Sequence, residues 1–284
     1  MKTIFQITLI SILVATLFTS CGCDEVKSEN TPVNYTVILD LSDRILVHDQ
    51  LDKDISLVES AFHSFENHAR KNLVISSKDR FSVKIIPQRN SPLEVNEYED
   101  MLRLYLDETD VADKNKSLKA LSLGLHKILK KLTQDALYGK EPSSYFGVDI
   151  WAYLHDNGME LSKTGYENKI LILTDGYFDF ENQSHVIKNE NQFTSTRFLN
   201  DLSNSNWKQI SEEKQYGLLP IQLDKNTKWI IAGISGKKAN DILQTEKITY
   251  FWKKWLNNSG VKKPVVIILN NANKEMCSRL SEKF

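Results

Sequence analysis

Two short clusters in this 284-residue chain bring together residue types that do chemistry jointly: Asp40-Leu41-Ser42-Asp43-Arg44 and Thr174-Asp175-Gly176. A carboxylate and a hydroxyl two residues apart, on a loop leaving a strand, can turn toward one hard cation, because magnesium and calcium prefer oxygen ligands. A carboxylate from a second strand end can complete such a shell, usually through water, and Gly176 lets its loop turn sharply. Arg44 is the complication. Its guanidinium cannot coordinate a cation, and its fixed charge competes with one for Asp40 or Asp175.

Both clusters follow apolar runs of strand length. Tyr35-Thr36-Val37-Ile38-Leu39 stops at Asp40, and Lys169-Ile170-Leu171-Ile172-Leu173-Thr174 runs into Asp175. Continuous runs of this kind predict strands buried on both faces. Further strands are predicted over 81–86, 229–234 and 264–269. Between them, apolar residues at three- and four-residue steps predict helices. One carries Leu51, Ile55, Val58, Phe62, Phe65 and Ala69, with Asp49 as its cap. A short one takes in Tyr98, Met101, Leu102 and Tyr105, and a longer one Leu118, Leu121, Leu125, Ile128 and Leu132. The last has Ile242, Leu243, Phe251, Trp252, Trp255 and Leu256 on its apolar side. The alternation predicts a three-layer α/β fold, a mostly parallel central sheet with helices on both faces, in one domain over 33–284. In such sheets ligands bind outside the carboxyl ends of the strands, where both clusters fall.

The order of apolar strand, Asp-x-Ser, helix, later strand and Thr-Asp-Gly resembles the von Willebrand factor A family. In that family a metal-ion-dependent adhesion site is built from an Asp-x-Ser-x-Ser motif, a middle-loop threonine and the Asp of the later strand end. The resemblance implies a Rossmann-type fold, protein binding, and Asp40, Ser42 and Asp175 as metal ligands. The second serine is replaced by Arg44, and Val148 stands where the middle-loop threonine is expected, with Asp149 beside it and Ser143 and Ser144 upstream as substitutes. Two arrangements follow. In one, Asp40, Ser42, Asp175 and Asp149 hold Mg2+ or Ca2+ while Arg44 swings out to Asp43 or solvent. In the other there is no metal, because Arg44 takes the cation's place and neutralises the carboxylates. Either way the binding face comprises Asp43, Arg44, Thr174, Gly176 and Tyr177, and the neighbouring aromatics Tyr145, Phe146, Trp151, Phe178 and Phe180 are interface anchors or core.

Other chemistries find less support. No Cys-x-x-Cys, His-Glu-x-x-His, glycine-rich phosphate loop or Gly-x-Ser-x-Gly elbow occurs. A haloacid-dehalogenase-type hydrolase would need a second carboxylate where Ser42 stands, so the chain is expected not to be an enzyme. With 36 Lys+Arg against 37 Asp+Glu there is no basic excess to attract nucleic acid.

The first segment is an address. Lys2 precedes an apolar run from Ile4 to Phe18, and Thr19-Ser20-Cys21 follows as in a bacterial lipobox. This predicts a lipoprotein signal peptide over 1–20, lipidation at Cys21 and a polar tether over 21–32. The protein is then expected in the cell envelope, on the periplasmic face or the outer-membrane surface, touching the membrane only through its N-terminal lipid. Cys23 and Cys277 are the cysteines left to pair or stay free. The expected role is recognition of an envelope protein, or else a structural lipoprotein with a vestigial site.

Overall fold

The structure, a computed structural model, describes residues 31–178, 188–238 and 241–284. The expected signal peptide, Cys21, Cys23, the expected tether up to residue 30 and Phe180 lie outside the described residues. Residues Pro32–Phe284 form one compact unit that contains both hydrophobic clusters found among the described residues. Every residue of the described hydrophobic core lies within that unit.

The predicted strands form with small boundary changes: β1 Val33–Asp40, β2 Arg80–Ile86, β4 Glu167–Leu173, β8 Lys228–Ile234 and β9 Val266–Leu269. They run parallel to one another in the order β2-β1-β4-β8-β9. A short strand, β3 (Arg103–Tyr105), pairs antiparallel to β2 at the edge. This corrects the expected helix through Tyr105. The helix α2 (Val95–Met101) stops short, and Arg103-Leu104-Tyr105 then alternates with only Leu104 buried, which is a strand period.

Helices α1 (Gln50–Lys71), α3 (Lys114–Ala136) and α7 (Asn273–Lys283) cover one face of the sheet. Tyr35, Val37 and Leu39 of β1 point to them, while Ile38 points to the opposite face. That face is covered by α4 (Ile150–Asn157), α5 (Trp207–Glu213) and α6 (Ile242–Asn258). Each large aliphatic side chain buried between layers contributes roughly 1.5–3 kcal/mol. Asp49 precedes α1 in a left-handed conformation and makes no capping bond, contrary to its expected role. A second sheet of β5 (Lys188–Asn189), β6 (Gln192–Phe193) and β7 (Gly217–Leu218) belongs to the long insertion after β4. No described helix is long and apolar enough to cross a membrane.

The order β3-β2-β1-β4-β8-β9 is that of a doubly wound sheet, and its reversal lies between β1 and β4. The loops leaving these two strands diverge to opposite sides and open a crevice between them. Those loops carry Asp40-x-Ser42 and Thr174-Asp175-Gly176.

Candidate functional site

β1 ends on Asp40, whose side chain is fully buried. Its Oδ1 accepts the Ser42 backbone N–H at 2.8 Å, and its Oδ2 accepts the Thr174 hydroxyl at 2.7 Å. Thr174 Oγ1 in turn accepts the Gly176 N–H at 3.0 Å. These bonds tie the two loops together across the switch point. Gly176 has φ +98°, and its carbonyl accepts the Trp252 indole N–H at 2.9 Å, which fixes the turn against α6. Asp175 is half-buried, with Oδ1 accepting the Tyr177 N–H at 3.2 Å.

After Ser42 the chain makes a 3-10 turn, Asp43–Leu46, and Arg44 points inward. It is 4% exposed and forms a two-toothed pair with Asp54 of α1, Nη1 to Oδ2 at 2.7 Å and Nη2 to Oδ1 at 3.1 Å. Nη1 also donates to the Asp40 backbone carbonyl at 3.1 Å. Asp54 accepts from Gln50 Nε2 at 2.9 Å, and Gln50 Oε1 accepts from Asn270, just past β9, at 3.0 Å. Room for the guanidinium comes from Gly233 on β8. This glycine has φ +95° at a register shift in β8, and a Cβ there would lie 3.2 Å from Arg44 Nη2 and 3.0 Å from the Thr174 carbonyl. The expected outward swing of Arg44 to Asp43 or solvent is therefore corrected. The buried partner is Asp54, because a guanidinium taken out of water needs a fork-to-fork carboxylate to offset its desolvation.

Three carboxylates now face one fixed cation. Burial pushes the Asp40 pKa up, against the opposing pull of Arg44 and its hydrogen bonds from Thr174 and Ser42. Burial, then the nearby charge of Asp40, push Asp175 up to about 7, with Arg44 opposing. Burial works against the charged form of Arg44, but Asp54 and Asp40 outweigh it and hold the guanidinium firmly protonated.

Above these groups a cleft of about 590 Å³ opens to solvent, with Ser42, Arg44, Asp175 and Tyr177 among its lining residues. The insertion after β4 supplies part of its wall. Thr196 and Leu199, on a 3-10 helix spanning Thr196–Leu202, line it, and Thr196 Oγ1 accepts the Phe178 N–H at 3.1 Å.

The Asp43 N–H donates to the Phe146 carbonyl at 3.0 Å, which brings the middle loop beside the site. Val148 is buried in the core, and Asp149 Oδ1 caps α4 by accepting the Ala152 N–H at 2.8 Å, so the carboxylate is engaged in holding a helix start. Tyr145, Trp151 and Phe178 are buried core residues, whereas Tyr177, also buried, borders the cleft and its hydroxyl accepts the Lys237 N–H at 3.1 Å. The donor set fits a divalent cation poorly. Both Asp40 oxygens already accept hydrogen bonds, a guanidinium sits beside them, and among the described residues no three Asp, Glu, His or Cys side chains converge as metal ligands would.

A scan against protein-family models finds no match, and neither does a search of curated proteins. Among solved structures, the chain is similar to an aerotolerance-related membrane protein from Bacteroides fragilis NCTC 9343 carrying multiple mutations to serines. The TM-score is 0.38 and the identity 11%, over 88% of this chain and 98% of that one. It is also similar to the pilus adhesin SpaC from Lactobacillus rhamnosus GG in its open conformation, with a TM-score of 0.44 and 9% identity over 89% of this chain and 29% of the adhesin. The chain thus spans under a third of the adhesin's length. What the structure itself establishes is a three-layer α/β fold, a six-stranded and mostly parallel sheet with helices on both faces.

Sequence reasoning missed Asp54, Gln50 and Gly233. A signal for the first two was present. The phase that turns Leu57, Val58 and Ala61 inward also turns Gln50 and Asp54 inward, and a buried aspartate on a helix face requires a partner. Gly233 sits inside an otherwise bulky apolar strand, where an isolated glycine marks a bulge or a close approach.

Proposed function

We propose that this chain is a lipid-anchored cell-envelope protein whose domain binds a protein partner at the crevice between the Asp40–Ser42 and Thr174–Gly176 loops. The open cleft at the switch point, floored by a pre-organised polar cluster, is the observation that carries this reading. The lipid anchor is supported by the apolar run ending at Cys21.

In this reading the face works without a metal. Arg44 supplies the positive charge that a degenerate metal-ion-dependent adhesion site lacks, and Thr174 and Ser42 hold Asp40 in place. The burial of Arg44 and its pairing with Asp54 support that role. The proposed activity is recognition, not turnover. Asp40 is enclosed, with both oxygens engaged, which leaves no accessible carboxylate at the position a haloacid-dehalogenase nucleophile would occupy.

The test is affinity capture from envelope extract with the wild-type domain and with Ser42→Ala/Asp175→Ala. Loss of specific partners in the double variant, at a melting temperature no lower than that of wild type, is the expected result. Equal recovery by both proteins overturns a binding role for this face and leaves the vestigial reading.

A further inference from the structure

The charge of this protein is nearly balanced as a whole but not locally. Helix α3, Lys114–Ala136, carries six lysines against the single acidic residue Asp135, in a chain with formal charge -1. Its buried side is Leu118, Leu121, Leu125, Leu129 and Leu132. At about 100° per residue, Lys116, Lys119, Leu123, Lys127 and Lys130 fall on one line almost diametrically opposite that side. The line is about 21 Å long at a rise of 1.5 Å per residue. It contains no acidic residue. Asp135 lies to one side and pairs with Lys131, while on the other side Lys130 reaches Asp52 of α1 and His126 pairs with Glu59. Among the described residues Lys116, Lys119 and Lys127 form no ion pair.

A solvated helix face ordinarily mixes both signs and gains from i,i+4 pairs. This ridge does neither, and it places Leu123, 76% exposed, at its centre. An aliphatic side chain flanked by lysines on the outermost line of a helix is the pattern of a surface that rests on anionic headgroups. The occupant is also within reach. Residues 21–32 separate the proposed lipidated Cys21 from β1, and that many residues span at most about 40 Å fully extended, on the order of one domain diameter. We infer that the α3 ridge docks on the anionic membrane surface to which the protein is anchored. The sheet's carboxyl-end cleft would then open alongside the membrane with a defined orientation.

This inference rests on the proposed lipid anchor for its occupant, and its test is independent of that anchor. Residues 32–284 are mixed with vesicles of pure phosphatidylcholine or of phosphatidylcholine with 30% phosphatidylglycerol, sedimented, and assayed at low and high salt. Binding to the anionic vesicles only, weakened by salt, is expected. Each lysine near such a surface accounts for roughly fivefold in affinity, so Lys116→Gln/Lys119→Gln/Lys127→Gln is expected to weaken binding about 100-fold. Leu123→Ala weakens it further, and the distant triple Lys225→Gln/Lys253→Gln/Lys262→Gln, with Lys253 on α6 across the sheet, changes it little. No sedimentation with anionic vesicles, equal binding to neutral ones, or equal loss in the distant triple overturns the inference, as does ridge-dependent capture of an acidic protein in place of vesicles. Labelling of the full chain with a fatty-acid analogue, with Cys21→Ser as control, reports separately on the anchor.

Discussion

Removing Asp54 separates two roles that Arg44 could play. Asp54→Ala deletes both carboxylate oxygens that hold the guanidinium, at 2.7 and 3.1 Å, and leaves Arg44 charged inside the protein. Breaking a buried pair from one side typically costs 3–5 kcal/mol. Arg44 keeps its bond to the Asp40 carbonyl and the attraction of Asp40 and Asp175, so the cost is expected at the lower end, about 3 kcal/mol. For a domain of this size that lowers the melting temperature by roughly 6–12 °C. The decisive variant is Arg44→Met/Asp54→Leu, followed by urea unfolding with tryptophan fluorescence. Replacing an isolated buried pair with apolar groups of similar volume is about neutral. Here Asp40 and Asp175 lose their counter-charge, so the double variant should remain less stable than wild type at pH 8 and regain the difference on acidification, as both carboxylates take up protons. A double variant equal to wild type at pH 8 would mean that Arg44 serves Asp54 alone. A cost below about 1 kcal/mol for Asp54→Ala, the range of an exposed pair, would refute the buried-cation account outright.

Three other outcomes follow from the same cluster. Asp175 titrates at about 7 in the folded protein, above its ordinary value of 3.8, so the folded state holds the proton more tightly. Stability is then fully present below about pH 4 and is lost as pH rises to about 7, and Asp175→Asn should flatten that slope in chemical denaturation and exceed wild type above pH 7. Thr174→Val removes the donor to Asp40 Oδ2 and the acceptor of the Gly176 N–H, and should cost about 1–3 kcal/mol in the same assay. Gly233→Ala forces a left-handed φ on a side chain and crowds the Thr174 carbonyl and Arg44 Nη2, so thermal melting should report a loss of roughly 1–3 kcal/mol, of which an Arg44→Met background relieves only the part due to the guanidinium.

Most of the frame was legible because buried parallel strands announce themselves as unbroken apolar runs, and both chemical clusters sit where those runs stop. The expected α/β fold, a mostly parallel sheet with helices on both faces, is observed. What periodicity could not supply was long-range partnership. Asp54 lies ten residues past Arg44 on a different element, and nothing local marks their pairing until the phase of α1 is laid against the turn before it. β3 was hidden because three residues are too short to show an alternation of their own beside a helical pattern. α7 was missed for a related reason, since its buried contacts rest on few apolar residues, Met276 and Leu280, in a polar stretch. Among the aromatics, hydrophobicity could not separate anchor from core. Tyr145, Trp151 and Phe178 proved to be core, while Tyr177 has its hydroxyl at the cleft.

The central claim is that Arg44 fills the place of a cation beside Asp40 and Asp175. Isothermal titration of residues 32–284 with millimolar magnesium, calcium and manganese tests it most directly. The account predicts no saturable heat with any of the three for the wild-type protein. A saturable heat that disappears in Asp40→Ala would contradict it and restore the cation to the site.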